Sequence, residues 1–120
     1  MKRHRMTAKL EFSQKIREEI RNRDGGCFFC MRGYHMEASD AFGYTIPQIM
    51  HIVPRSSLGM GVKENGVLGC QYHHNLMDNG NKGLRGEMIG MLEEYMRGLY
   101  PGWSRSDVIY QKYSFGKEKT

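Results

Sequence analysis

Cys27 and Cys30 are separated by two residues, and so are Cys70 and His73. That spacing lets a single turn of backbone present two donors to a tetrahedral ion. Three cysteines cannot pair off completely as disulfides, and a reducing compartment disfavours disulfides in any case. The three sulfurs therefore read as thiolate ligands completed by one imidazole. A four-donor set without an open position suits structural zinc, whose binding to small finger peptides is worth about 10–16 kcal/mol at neutral pH. Against ordinary domain stabilities of about 5–15 kcal/mol, such a staple decides whether the fold exists. The weak point is the gap between the pairs, about double that of common zinc motifs.

A chain of 120 residues fits one domain with a modest core, expected over residues 8–115, with a flexible basic start at 1–7 and a frayed tail at 116–120. Lys and Arg outnumber Asp and Glu by 18 to 13, which points to a polyanionic partner. No run of about 18 apolar residues occurs, and "MKRHRMTAKL" lacks the apolar stretch of a secretory signal, so no membrane association and a cytoplasmic location are expected.

Ala8, Phe12, Ile16 and Ile20 recur every fourth position among charged residues, which predicts an amphipathic helix from Ala8 to the "DGG" at 24–26. Residues 33–44 are irregular and read as loop. "TIPQIMHIV" reads as a strand with Pro47 near its start, where a missing N–H is tolerable. "ENGVLG" carries a turn signal before a second strand, and "CQYHHNLMD" opens a helix. After the turn "DNGNKG", Leu84, Met88, Met91, Leu92, Tyr95 and Leu99 form a helical stripe that ends at Pro101, and Ser104 with Asp107 has the form of a capping pair. The methionines fall mostly on such stripes and are expected in the core. Arg17, Arg21, Arg23, Lys82 and Arg85 read as a solvated face or a phosphate-tracking one.

His73 and His74 are adjacent. Consecutive helical residues project about 100° apart, so the two rings do not easily share an ion. If His73 faces zinc, then His74 and Asp78, at i and i+4, form a separate imidazole and carboxylate pair suited to a hydrated divalent cation. The bland alternative makes His74 a surface residue and Asp78 the first residue of a turn.

His51-Ile52-Val53-Pro54, then Asn65, then His74, taken with the two ligand pairs, resembles the HNH endonuclease motif, in the zinc-stapled, free-standing form common in phages and mobile elements. The resemblance covers residues 27–80. It implies an α+β fold with a ββα-metal core stapled by zinc and flanked by N- and C-terminal helices, and an activity of metal-dependent DNA hydrolysis. On that resemblance His51 is the general base and Asn65 holds the loop that aims it. His74 and Asp78 hold a catalytic Mg2+ or another divalent cation, and Arg55 contacts a phosphate of the nucleic acid, unless it is simply a solvated surface residue. A homodimer would allow paired cuts, and packaging or restriction proteins would be fitting partners. One position departs from the family. Met50 stands where Asp, Glu or His usually supplies a ligand, and a thioether is a poor ligand for a hard cation. Either His74 and Asp78 suffice, or an oxygen arrives from elsewhere, or the site is weakened. The alternative function is a non-catalytic, zinc-stapled DNA-binding module with a degenerate HNH site.

Overall fold

The computed structural model describes residues 9–79 and 83–111; the readings for 1–8, for 80–82 and for the tail lie outside them. The architecture is α+β: a two-stranded hairpin and short helices around the Cys3His cluster, flanked by an N-terminal and a C-terminal helix.

The N-terminal helix α1 spans Gln14–Asp24. The continuous helix expected from Ala8 is interrupted: residues 9 and 10 are helical, but 11–13 are not. The break has a local cause. Ser13 Oγ accepts the Ile16 N–H at 3.1 Å and so caps α1 from outside the helix. Freed from the helix, Phe12 joins Ile20 and Leu68 in a small core bordered by Ile16 and Ile49. The apolar stripe thus meets the sheet as its spacing suggests, although the backbone beneath it changes course. Gly25, at φ 77°, ends α1 in the left-handed region, and its N–H closes on Arg21 O.

A single turn, α2 (Phe28–Met31), buries Phe28 and Phe29. A 3-10 turn at Ala41–Thr45, capped by Asp40, interrupts the expected loop. Strands β1 (Pro47–His51) and β2 (Gly66–Cys70) pair antiparallel, with Pro47 opposite Cys70 and His51 opposite Gly66. All five residues of β2 are buried, and Met50 lies across from it with no exposed surface. A Cβ on Gly69 would come within 2.6 Å of Met50 Sδ, so glycine is what lets the thioether lie flat on the strand. Helix α3 (Gln71–Asn79) begins directly after Cys70, and α4 (Arg85–Leu99) buries Met88, Leu92 and Met96. Met50, Met77, Met88 and Met96 belong to the main core, whereas Met31 and Met36 are exposed. Past α4, Asp107 Oδ2 accepts the Ser104 N–H at 3.1 Å, a capping pair that opens the turn at Arg105–Val108.

Arg23, read from sequence as surface charge, is instead tied into the interior. Its guanidinium grips Asp24 at 2.7 and 3.0 Å and reaches Gly66 O at 2.6 Å and Lys63 O at 2.8 Å. The Asp24 side chain is 2 % exposed and also accepts from Tyr95 Oη at 2.6 Å and from Leu68 N at 2.8 Å. This network joins the end of α1 to β2, to α4 and to the turn that precedes Asn65.

Candidate metal centre and adjoining cleft

Two knuckles build the metal centre. In the first, Cys27 caps α2 and its Sγ accepts the Cys30 N–H at 3.4 Å; in the second, Cys70 Sγ accepts the His73 N–H at the same distance. Both bonds turn a backbone N–H toward a ligand sulfur. The four ligand atoms lie within 4.8 Å of one another. Cys30 Sγ and Cys70 Sγ are 3.7 Å apart, and His73 Nδ1 lies 3.3, 3.6 and 3.8 Å from the sulfurs of Cys70, Cys30 and Cys27. With metal–sulfur bonds near 2.3 Å and metal–nitrogen bonds of about 2.0–2.1 Å, a zinc tetrahedron has S···S edges of about 3.8 Å and S···N edges of about 3.6 Å. The donor set therefore fits zinc in chemistry and in size.

The imidazole is oriented for that role. His73 Nε2–H donates to Tyr34 O at 2.6 Å, which leaves the Nδ1 lone pair facing the sulfurs. Burial holds His73 below the ordinary histidine range and so keeps its ring neutral. Burial pushes the Cys27 and Cys30 thiols up, so thiolates packed this closely need a cation to offset their charge.

The adjacent histidine faces elsewhere. His74, Asp78, His51, Pro54, Arg55 and Arg85 line a cleft of about 170 Å³. His74 Nε2 lies 2.9 Å from Asp78 Oδ2, as the i,i+4 spacing on α3 requires. At that distance the two side chains share a hydrogen bond on the cleft wall. Gln48 supplies what sequence reading missed: its Oε1 lies 2.7 Å from His74 Nδ1 and so holds the ring by the nitrogen that does not face Asp78. Nothing in the string Pro-Gln-Ile advertises that partnership, which exists only because β1 lies alongside α3.

His51 ends β1. Its Nε2–H donates to Leu10 O at 3.2 Å, and its ring lies 4.3 Å from that of Phe12, centroid to centroid. Burial holds its pKa below the ordinary histidine value against the opposing Leu10 bond, with Arg55 and His74 adding to the depression. The segment beyond His51 is fastened by Asn65, which is fully buried. Its Oδ1 accepts Val53 N–H at 2.9 Å, its Nδ2 donates to Val53 O at 3.1 Å and Met60 O at 2.9 Å, and its own carbonyl accepts Ile52 N–H at 3.0 Å. Gly59 fits inside this loop because a Cβ there would collide with Val53 O.

Met50 contributes no group to the cleft, because its side chain is spent on the core. Arg55 lies 3.6 Å from Glu11, and Arg85 donates to Asp78 Oδ1 at 2.8 Å. A signal for Arg85 did exist in the sequence, since a cation in the first turn of a helix opposes the helix dipole and calls for a reason outside that helix. Among the described residues, no helix is long and apolar enough to cross a membrane. No protein-family model matches the chain, and neither does any curated protein or solved structure, so the site stands on its own geometry.

Proposed function

We propose that the chain is a metal-dependent DNA endonuclease of the HNH type, with the Cys3His centre as a structural zinc staple. The observation that carries this reading is the split between the adjacent histidines: His73 joins the sulfurs, while His74 opens with Asp78 onto a cleft shared with His51. The net charge of +5 suits a polyanionic substrate.

In this reading His51 is the general base. Giving its Nε2–H to Leu10 O leaves Nδ1 unprotonated, and the depressed pKa keeps it so at neutral pH, ready to take a proton from the attacking water. Asn65 holds the backbone on both sides of the loop and so fixes where His51 points. His74 and Asp78 would hold the divalent cation, with Gln48 Oε1 on His74 Nδ1 leaving Nε2 to the metal. When bound, that cation supplies Lewis-acid stabilisation of the charge on the scissile phosphate and the leaving oxygen. Arg55 lines the same cleft and would contact a non-bridging phosphate oxygen.

The test is supercoiled plasmid incubated with zinc-loaded protein and Mg2+, Mn2+ or Ni2+ in turn. The expected result is conversion to nicked or linear forms that requires the added cation and that His51→Ala slows by about 10²–10⁴-fold at unchanged zinc content. Plasmid binding without any strand cut across the metal series overturns the reading in favour of a non-catalytic DNA-binding module.

A further inference from the structure

Resting on the endonuclease reading of the cleft, we propose that Arg85 is a substrate-phosphate contact held in reserve by Asp78, released when a divalent cation takes the carboxylate. Asp78 is shared: Oδ2 faces His74 Nε2 at 2.9 Å, and Oδ1 accepts from Arg85 Nη1 at 2.8 Å. A cation bound to that carboxylate withdraws the charge on which the Arg85 bond depends. The guanidinium then turns its remaining N–H donors to the same cleft, in which a phosphate diester is the complementary anion.

Three features support a functional role. Arg85 opens α4, where its charge opposes the helix dipole, so helix stability does not account for it. It lines the cleft together with His51, Arg55 and His74, which places a second guanidinium beside the base and the cation ligands. Its side chain is 42 % exposed, so release requires no repacking. The rival role is purely structural: Arg85 Nη1 also lies 3.5 Å from Met77 O near the end of α3, where a cation would steady the helix.

The two roles predict opposite effects on metal binding. Zinc-loaded protein is titrated with Mn2+ alone, and the loss of the free-ion paramagnetic resonance signal gives the affinity. Removing a competitor in Arg85→Gln should tighten Mn2+ binding several-fold, whereas removing a structural prop should leave it unchanged or weaken it. Duplex binding is then measured against salt in the His51→Ala background, which keeps the DNA intact. With Mn2+ present, Arg85→Gln should weaken duplex binding about tenfold and reduce the slope of log K on log salt by about one. With Mn2+ omitted and the zinc left in place the two proteins should bind alike, and Arg85→Lys should recover the salt slope while recovering affinity only in part. Unchanged or weaker Mn2+ binding in Arg85→Gln, or a salt slope that does not depend on residue 85, overturns the proposal. Failure of the endonuclease reading is recognised separately, as absence of cleavage by the protein with both His51 and Arg85 intact.

Discussion

Replacing Asn65 by alanine removes three side-chain hydrogen bonds, two to Val53 and one to Met60, from a position with no exposed surface. Val53 is also fully buried, so its N–H and C=O have no water to turn to. A net loss of about 1 kcal/mol per bond, with some further penalty for stranding buried backbone groups, gives about 3–4 kcal/mol. For a chain of this size, at about 3–5 °C per kcal/mol, that lowers the melting temperature by about 9–20 °C. Asn65→Asp offers a sharper check. It sets an oxygen against the carbonyls of Val53 and Met60, so the new carboxyl should titrate above the ordinary aspartate value in the folded protein. A group whose folded pKa is raised adds stability below its unfolded pKa and loses it as pH rises through the folded value. Asn65→Asp should therefore be weakest at neutral pH and approach or surpass Asn65→Ala on acidification, read from melting curves of zinc-loaded protein between pH 4 and 7. If Asn65→Ala melts within a degree or two of the parent, or Asn65→Asp shows no gain on acidification relative to it, the loop is held by something other than this side chain.

Three further outcomes are expected. Cys70→Ser, or strong chelation of the parent protein, should lose the far-ultraviolet signal together with zinc, since a staple worth about 10–16 kcal/mol rivals the stability of the domain; a folded, zinc-free protein would refute a structural role for the centre. Asp24→Asn leaves the Arg23 charge without its counter-ion in a buried network and should destabilise by about 3–5 kcal/mol, measured by urea unfolding, with a loss under 1 kcal/mol contradicting the assignment. His51→Ala should slow plasmid cleavage by about 10²–10⁴-fold, and because burial depresses the His51 pKa, the parent's rate should hold through pH 6.5 and decline only below it; a decline centred above the ordinary histidine value would point to another base.

The metal cage was readable because it depends on spacing along the chain. A CxxC and a CxxH each fit one turn, and the α4 stripe of Met88, Leu92 and Met96 repeats at helical period, so local geometry and burial coincide there. The break before α1 was not readable, because Phe12 and Ile16 keep helical spacing while Ser13 quietly takes the cap. Nor was the Asp24 network, whose partners Leu68 and Tyr95 lie 44 and 71 residues away. Met50 shows the limit most plainly. Set against a family pattern its thioether looked like a missing ligand, whereas its place opposite the glycine-bearing β2 makes it a core residue. Gln48 is the converse, a residue without any local signature that acquires a task only when β1 and α3 lie together.

Because β2 passes into α3 without an intervening residue, the zinc cage and the cleft are indexed to one rigid shaft. Adding or deleting a residue between Cys70 and His74 would swing the remainder of α3 by about 100°, so neither the Cys3His cage nor the cleft can be retuned by length while the other keeps its aim. Evolution or an engineer can exchange side chains along this stretch, but its residue count is as constrained as a reading frame.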